Sequence, residues 1–557
     1  MNDKKRYVLG YDYGTLSCRI LAADLQTGES VYSASLDYPH GVISDALEDG
    51  TPLPKNFYLQ HPGDYWDVMV RLTRGFLRET GIDKNAVLAM GVDFTNCTVV
   101  PLGEDEKVLC QREELAGNPH SWVKLWKHHG AQDYAAEMEE YMKGENIPWF
   151  AEYGRNVSSE WFFPKVLQVY REAPDLYEQT DLFLEGTDYI TYLLTGNLVR
   201  SSAILGVNAF YDEERGFPDE VFFRGLAPGM EKTIYHKLRG EVRPVGSPAG
   251  TLRKVFAEML GLGTHTVVAV GHGDSEVAAC GLGVAESGSM ILVMGTSTCY
   301  QFLYEEKKTF DGVCAIVRDG MVPGLYAYES GQPAVGDIFA WYAENGVPEA
   351  YRTKAEEKGV SLLTYLGECA ERLKPGQSGL VALDWLNGNR SVLMDYHLTG
   401  VLAGLTLHTK PEEIYRALME ATAFGARKIL ESYENAGIAV KKVYGAGGLP
   451  QKSPLLMQIY ADVLGREIAV PLVENSSAMG CCVCAAAALG AEDGGYGSVS
   501  EAISRMIRCE SIHYRPIPEH TSVYDRLYQV YGGLHRLMGE ETTLLHQLHD
   551  IQQDVMS

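Results

Sequence analysis

The stretch that decides the fold is YVLGYDYGTLSCRI at residues 7–20. Residues 7–11 are apolar and favour a buried strand, and residues 12–17 form a short turn of one aspartate, one glycine and small hydroxyl side chains. Further apolar segments follow at residues 19–25 and 30–38. Because short turns favour antiparallel pairing, the sequence predicts a meander of three strands with a tight first turn.

The same pattern returns in the second half of the chain as MILVMGTSTCYQFL at residues 290–303. An apolar segment again leads into a turn of glycine and hydroxyl side chains and out through another apolar segment. Because such self-similarity indicates repeated units, we expect two copies of one domain, residues 1–285 and 286–557. A chain of 557 residues is also longer than one hydrophobic core normally organises. A cleft between the two domains is therefore expected.

The segments around the two meanders alternate between helix and strand signals. Pro62 and Pro411 open amphipathic segments, and a strand at residues 442–444 ends in the glycine turn 445–448. A strand, a glycine turn and a helix in this order let a backbone approach a nucleotide closely. The predicted fold class is therefore α/β. The other predicted elements are helices at 62–80, from about 158, at 187–194, at 411–430 and after 454, and a strand at 86–94.

Composition and charge exclude several classes of partner. The chain has 48 basic and 74 acidic residues, a formal charge of −26, which repels nucleic-acid phosphates and anionic lipid surfaces. No run of 18 apolar residues occurs and residues 1–6 contain no apolar signal region, so a cytoplasmic protein is expected.

Eleven cysteines without framework spacing favour reduced thiols. The CxxC pair Cys481 and Cys484 lies in the small-residue run 478–490, which favours a tightly packed core helix over metal or redox chemistry.

The first turn offers groups that suit phosphoryl transfer, a reaction that needs charge neutralisation around phosphates, a metal and a base. Gly14, Thr15 and Ser17 offer backbone N–H groups and hydroxyls for phosphate oxygens, and Asp12 at the strand end is a candidate ligand for Mg²⁺. The turn at residues 295–298 would supply matching groups from the second domain. Taken alone, such turns are more often plain hairpins. Neither a Walker A pattern nor a Rossmann GxGxxG in its strand-to-helix context is present.

Asp274 is the candidate general base. It ends the segment VVAVGHGD at residues 267–274, in which an apolar strand leads into glycines that would leave one carboxylate exposed at the cleft. An aspartate after a strand is more often a turn former. Its place between the two hydroxyl turns is therefore what favours the catalytic interpretation.

Four of these segments, residues 10–19, 271–274, 295–299 and 447–458, together resemble the FGGY family of carbohydrate kinases. The resemblance covers essentially the whole chain. It implies two ribonuclease H-like domains of the actin and hexokinase ATPase type flanking a cleft, with the sugar held mainly by the first domain and ATP by the second. It also implies Asp274 as the base that takes a proton from the terminal hydroxyl of the sugar.

Five further segments narrow the resemblance to the members of the family that phosphorylate L-ribulose in L-arabinose catabolism. They are residues 91–98, 119–129, 331–341, 383–390 and 447–462. The resemblance implies ATP as co-substrate and Mg²⁺ as cofactor, with Asp12 near the metal. It places Thr15, Ser17, Arg19, Gly295 and Thr296 around the phosphates and Gly336, Gly447, Gly448 and Gln451 along the nucleotide.

For the sugar, the family pattern places polar contacts at Asn96, Trp126, Asn208, Asp274 and Glu329. Two of these residues depart from the resemblance. The L-ribulose-phosphorylating members usually have a lysine where this chain has Asn208, and a small residue where it has Asn96. Since an unpaired polar contact discriminates strongly between substrates, D-ribulose, xylulose or a related polyol stays an alternative to L-ribulose.

The sequence leaves three further points open. A non-catalytic sugar or nucleotide sensor would keep the phosphate-binding turns without the chemistry, although the presence of both Asp12 and Asp274 argues against it. Trp122 and Trp126 are spaced one helical turn apart, which indicates ordinary helix packing, and Trp126 is also a candidate for stacking on the sugar. The oligomeric state, including a homodimer, is left open.

Overall fold

A computed structural model describes residues 5–556. The sequence predicts that residues 1–6 contain no signal region, and residues 1–4 of that segment lie outside the described residues. The strands of the first half are β1 (Tyr7–Tyr13), β2 (Ser17–Asp24), β3 (Ser30–Asp37), β4 (Leu59–Gln60), β5 (Val87–Phe94), β6 (Val99–Leu102), β7 (Val123–Lys124), β8 (Leu182–Glu185), β9 (Val199–Ser201), β10 (Glu241–Arg243), β11 (Pro248–Thr251), β12 (Val267–Ala269) and β13 (His272–Gly273). Its helices are α1 (Pro62–Thr80), α2 (Gln132–Gly144), α3 (Phe162–Glu172), α4 (Pro174–Gln179), α5 (Gly186–Thr195), α6 (Ser202–Asn208), α7 (Glu220–Leu226), α8 (Ile234–Lys237), α9 (Lys254–Leu260) and α10 (Asp274–Gly281).

The second half has its own strands and helices. The strands are β14 (Ser289–Met294), β15 (Thr298–Tyr304), β16 (Ala315–Arg318), β17 (Tyr326–Gln332), β18 (Val381–Leu383), β19 (Val401–Ala403), β20 (Lys442–Ala446), β21 (Ile468–Pro471) and β22 (Ser511–Tyr514). The helices are α11 (Gly336–Asn345), α12 (Glu349–Lys358), α13 (Leu362–Glu371), α14 (Pro411–Asn435), α15 (Gly448–Lys452), α16 (Pro454–Leu464), α17 (Ser476–Leu489), α18 (Val499–Met506), α19 (Pro518–Arg536) and α20 (Leu544–Met556).

A seven-stranded sheet carries the first meander. Its order is β11-β12-β5-β1-β2-β3, and β13 also pairs with β5. Strands β1, β2 and β3 pair antiparallel, as the turn at residues 12–17 predicts. Strand β5 lies parallel to β1, and β12 and β13 lie parallel to β5. The carboxyl ends of the parallel strands therefore meet at one edge of the sheet.

A second seven-stranded sheet repeats this arrangement in the order β16-β17-β15-β14-β20-β21-β22. Its antiparallel strands β14, β15 and β17 correspond to β1, β2 and β3. The parallel strands β20 and β21 and the antiparallel strand β22 correspond to β5, β12 and β11. The predicted α/β fold with two similar ribonuclease H-like domains is confirmed. The boundary at residue 285 stays a prediction.

Most predicted elements lie where the sequence places them, with two differences. Helix α1 begins with Pro62 and ends at Gly81, whose φ of 66° lies in the left-handed region that a glycine adopts without strain. The helix expected from about residue 158 begins later, at Phe162. The helical interpretation of Trp122 and Trp126 is wrong. The segment between them is strand β7, because it pairs with β4 and β6, which are distant in the sequence.

Helix α17 joins the second half of the chain to the first sheet, where it packs against β1, β5 and α10. A Cβ atom at Gly10 would lie 1.9 Å from the carbonyl oxygen of Ala478. A Cβ atom at Gly480 would lie 2.1 Å from the carbonyl oxygen of Val277. Backbones therefore touch backbones here, which is why the run is built of small residues.

The cysteines serve packing rather than cross-linking. All eleven are free thiols. Cys481 and Cys484 are buried within α17, where the CxxC spacing places two small apolar side chains against neighbouring elements. As for membranes, none of the helices within residues 5–556 combines the length and the apolar character needed to cross a bilayer.

We expect Gly480→Ala to destabilise the protein, because the new methyl carbon would lie 2.1 Å from the backbone oxygen of Val277. Overpacking of this kind costs about 1–3 kcal/mol. Urea denaturation measures the change in the free energy of unfolding. Gly532→Ala in α19 is the matched control, since no described atom beyond its neighbours and the nearby backbone of its own helix lies within 4 Å of its Cβ position. Alanine should stabilise that helix by about 0.5–1 kcal/mol. Equal unfolding midpoints for wild type and Gly480→Ala would contradict the packing argument.

Candidate active site

Three aspartates meet at the carboxyl ends of neighbouring strands. Asp12 near the end of β1 pairs in register with Asp93 near the end of β5, and His272 of β13 pairs with Asp93 on the other side. Asp274 follows β13 as the first residue of α10. Asp12 and Asp93 are buried and Asp274 is half-buried. The sheet thus collects three carboxylates that are far apart in the sequence.

Asp93 is the buried centre of this group. Burial and the neighbouring carboxylates of Asp12 and Asp274 raise the pKa of Asp93 well above its usual value. The thiol of Cys481 donates to Asp93 Oδ2 over 3.2 Å, whereas Asp93 Oδ1 has no hydrogen-bond partner within residues 5–556. Carboxylate oxygens are the ligands that hard divalent cations prefer. The donor set therefore fits such a cation.

Asp274 has the properties of a general base. Burial raises the pKa of Asp274 to about 7, and the charges of Glu276 and Asp12 add to that effect. The backbone N–H of Ser275 donates to Asp274 Oδ1 over 2.9 Å. A carboxylate whose pKa lies near 7 is matched to accepting a proton at neutral pH.

The first hydroxyl turn is closed, and several of its groups are engaged. The N–H of Gly14 donates to the carbonyl oxygen of Ser17 over 3.0 Å, which closes the tight turn. Arg19 pairs with Asp12 across β1 and β2, and its Nη1 donates to Asp12 Oδ2 over 2.8 Å. The Thr15 hydroxyl accepts from Trp126 Nε1 over 3.0 Å.

The second hydroxyl turn has the same closure and contacts two further glycine positions. The N–H of Gly295 donates to the carbonyl oxygen of Ser297 over 2.8 Å. The N–H of Gly336 donates to the carbonyl oxygen of Gly295 over 3.1 Å, and a Cβ atom at Gly336 would lie 2.5 Å from that oxygen. A Cβ atom at Gly447 would lie 2.5 Å from the carbonyl oxygen of Met294. Thr296, Gly448 and Gln451 near these contacts are exposed.

Two amide side chains lie on the first-half side. Asn96 follows β5, and its Nδ2 donates to Glu276 Oε2 over 2.8 Å and to Ser275 Oγ over 3.2 Å. Asn208 ends α6 and is fully buried, with its Nδ2 3.5 Å from the sulfur of Cys97. The Oδ1 atoms of both asparagines are buried without a hydrogen-bond partner in the described part of the chain. Each side chain therefore offers an unused acceptor.

The second half contributes Glu329 and Arg390. Arg390 Nη2 donates to Glu329 Oε1 over 2.7 Å. Burial, and then the charge of Glu329, raises the pKa of Glu276 to about 7. The two glutamates are therefore close, although Glu276 lies on α10 in the first half and Glu329 on β17 in the second. A cleft of about 980 Å³ is lined by Trp126 from the first half and by Ser297 and Arg390 from the second.

Sequence reasoning missed Asp93, Glu276 and Arg390. Asp93 had a signal, because it occupies the last-but-one position of an apolar strand, as Asp12 does. Glu276 and Arg390 had none, since their contacts with Asn96 and Glu329 join segments that no local pattern connects.

Comparisons with known proteins show the family of the chain. Residues 7–281 match the N-terminal domain of the FGGY family of carbohydrate kinases, and residues 290–489 match its C-terminal domain. A ribulokinase of Geobacillus thermodenitrificans is 46% identical over 96% of this chain and 95% of its own length. A ribulokinase of Mycolicibacterium smegmatis is 40% identical over 98% of this chain and 96% of its own length.

Solved structures share the fold. The crystal structure of a xylulose kinase from Rhodospirillum rubrum superimposes with a TM-score of 0.79 at 23% identity, over 98% of this chain and 100% of that one. The gluconate kinase of Lactobacillus acidophilus gives a TM-score of 0.78 at 18% identity, over 96% of this chain and 99% of that one. Since both domain matches and the full-length relatives agree, the chain belongs to the FGGY family of carbohydrate kinases.

Proposed function

We propose that the protein transfers the γ-phosphoryl group of ATP to the terminal hydroxyl of a ketopentose, and that the substrate is L-ribulose, which becomes L-ribulose 5-phosphate in L-arabinose catabolism. The observation that carries this proposal is Asp274, a half-buried carboxylate beside Asp12 with its pKa raised to about 7. The ribulokinases at 46% and 40% identity support the choice of sugar.

Asp274 acts on the acceptor hydroxyl. Its ionised carboxylate takes the hydroxyl proton as the sugar oxygen attacks the γ-phosphorus. The bond from that phosphorus to the bridging oxygen breaks, and ADP leaves with the electron pair. Asp274 then releases its proton to solvent, which restores the base for the next turnover.

Asp12 and Asp93 are proposed to hold Mg²⁺. Bound there, the cation supplies positive charge that offsets the charge of the phosphate oxygens. The carboxylate of Asp12 and the unpartnered Oδ1 of Asp93 support this assignment. Arg19, exposed on β2 and paired with Asp12, places a further positive charge on the same side.

The nucleotide is proposed to lie mainly on the second domain, residues 286–557. Gly448 at the start of α15 supports this placement, because the space beside its Cα is open and a phosphate can approach a backbone that carries no side chain. Closure of the cleft would exclude water, so that transfer to the sugar outcompetes hydrolysis. The residues proposed to contact the nucleotide are Gly14, Thr15, Ser17, Arg19, Gly295, Thr296, Gly336, Gly447, Gly448 and Gln451.

The sugar is proposed to lie mainly against the first domain, residues 1–285. The residues proposed to contact it are Asn96, Trp126, Asn208, Asp274 and Glu329. Since Asn208 and Asn96 leave acceptors unused, D-ribulose, xylulose or a related polyol is the alternative substrate. A non-catalytic sensor is the alternative of a different class, and the three clustered carboxylates argue against it.

The charge of −26 supports a cytoplasmic enzyme that acts on small molecules, without a nucleic-acid or membrane partner. The oligomeric state, including a homodimer, is left open by this proposal.

Asp274→Asn should lower turnover by roughly 10²–10⁴-fold, because the amide cannot accept the proton. Binding of MgATP, measured by titration calorimetry, should be retained. Asp67→Asn is the matched control, since Asp67 forms an exposed ion pair with Arg71 on α1, and it should behave as wild type. Near-normal turnover of Asp274→Asn would refute the assignment of the base.

The pH dependence of kcat/KM for the sugar should report the protonation of Asp274. Its pKa of about 7 is raised by burial, Glu276 and Asp12, so the base is protonated and inactive below that pH. We expect kcat/KM to fall by about tenfold per pH unit below about 7 and to level off above it. Initial rates from pH 5.5 to 9, with enzyme recovery checked at pH 7.5, measure this. A plateau that extends to pH 5.5 is the contrary outcome.

Coupled ADP release should identify the sugar. The panel is L-ribulose, D-ribulose, L-xylulose, D-xylulose, ribitol, arabitol and glycerol at fixed MgATP. We expect the highest kcat/KM with L-ribulose. Asn208→Lys should raise the ratio of kcat/KM for L-ribulose to that for D-ribulose by roughly tenfold, because it adds a donor for a sugar hydroxyl.

Asn85→Lys adds the same charge at an exposed position and should leave that ratio unchanged. An unchanged ratio in Asn208→Lys would mean that position 208 does not select the sugar. Absence of sugar-dependent ADP release across the panel would favour the sensor.

A further inference from the structure

The Asn96 side chain has one satisfied end and one unsatisfied end. Its Nδ2 donates to Glu276 Oε2 over 2.8 Å and to Ser275 Oγ over 3.2 Å. Its Oδ1 is buried without a hydrogen-bond partner among residues 5–556. A buried amide oxygen without a donor is unfavourable, so a donor from a bound molecule would be stabilising at this place.

Glu276 decides which end of the amide is left free. A carboxylate accepts hydrogen bonds and, when ionised, has no proton to donate. If the Asn96 amide were flipped, its Oδ1 would lie against Glu276 Oε2, and two acceptors would face each other. In its ionised form, Glu276 therefore fixes the orientation in which Nδ2 is used and Oδ1 has no partner.

Asn96 and Glu276 both lie against Gly273, the residue that precedes Asp274. A Cβ atom at Gly273 would lie 2.1 Å from Asn96 Oδ1 and 2.3 Å from Glu276 Oε2. Glycine at this position is what allows the amide and the carboxylate to approach the chain one residue before the proposed base. The free Oδ1 is thus next to the place where the acceptor hydroxyl would react.

We propose that Glu276 is a positioning residue for the sugar: it holds Asn96 so that Asn96 Oδ1 accepts a hydrogen bond from a sugar hydroxyl other than the one that is phosphorylated. This inference rests on the proposed function. Glu276 acts through Asn96 and makes no contact of its own with the substrate.

The burial of Glu276 is consistent with such an indirect role. Glu276 is 3% exposed, whereas Asn96 is half-buried, so Asn96 is the member of the pair that lies nearer to solvent. Glu329, which helps to raise the pKa of Glu276, is paired with Arg390. The guanidinium therefore offsets part of the negative charge of the two glutamates.

Steady-state kinetics with Glu276→Gln, Asn96→Ala and the double variant test the proposal, on the sugar of the panel that gives the highest kcat/KM. Asn96→Ala should raise KM for the sugar by about tenfold, with kcat and KM for ATP nearly unchanged. Glu276→Gln should raise KM for the sugar several-fold, since a glutamine amide no longer fixes the orientation of Asn96.

The double variant separates positioning from a general structural role. Because both changes remove the same hydrogen bond to the sugar, Glu276→Gln should add little to KM in the Asn96→Ala background. Glu286→Gln is the matched control, an exposed glutamate paired with Lys442, and it should leave all constants unchanged. If Glu276→Gln fails to fold, as judged by thermal unfolding, Asn96→Ala alone decides the outcome.

Three results would overturn the proposal. They are an unchanged KM in Asn96→Ala, an unchanged KM in Glu276→Gln, and equal effects of Glu276→Gln with and without Asn96. Each of these leaves the proposed kinase reaction intact, because wild type still phosphorylates a sugar. Failure of wild type to release ADP with any sugar would instead refute the proposed function, and the positioning role with it.

Discussion

The structure depends on the close approach of helix α17 to the first sheet. At four glycines of this contact, an added Cβ atom would lie between 1.9 and 2.4 Å from a backbone carbonyl oxygen. They are Gly10 and Gly91 on the sheet and Gly281 and Gly480 on the facing helices. No larger residue fits at such contacts without moving a backbone. The two similar halves of the chain are therefore held together by main-chain surfaces, and the small residues of α17 are a requirement of that geometry.

That packing also positions the chemistry. The thiol of Cys481 on α17 donates to the buried Asp93, and the hydroxyl of Ser477 donates to the carbonyl oxygen of Asp274 over 3.0 Å. A helix from the second half thus supports two of the three carboxylates that the first sheet brings together. Because the same contact surface excludes water from Asp93, it also raises the pKa of that residue. The packing of α17 therefore both positions Asp93 and raises its pKa.

The sequence predicted the elements that local patterns determine, and it missed the features that depend on pairing between strands far apart in the chain. Both hydroxyl turns and their strands were correct, because apolar segments separated by short turns of small residues specify hairpins wherever they occur. Trp122 and Trp126 were misjudged, since β7 exists only through pairing with strands far along the chain. Asp93 had a local signal at the end of an apolar strand, but only the register that joins β1 to β5 shows that it lies beside Asp12.

Several donors at the site are already engaged within the protein, whereas two amide oxygens are not. Trp126 Nε1 is used by Thr15, and Arg390 Nη2 is used by Glu329. The Nδ2 atoms of the two asparagines, Asn96 and Asn208, are likewise engaged, whereas their Oδ1 atoms are not. A molecule that completes such a site must bring hydrogen-bond donors, as the hydroxyls of a neutral sugar do. A carboxylate on the sugar close to the acceptor hydroxyl would instead lie near the carboxylates of Asp274 and Glu276, so the arrangement that activates one hydroxyl also disfavours acidic groups beside it.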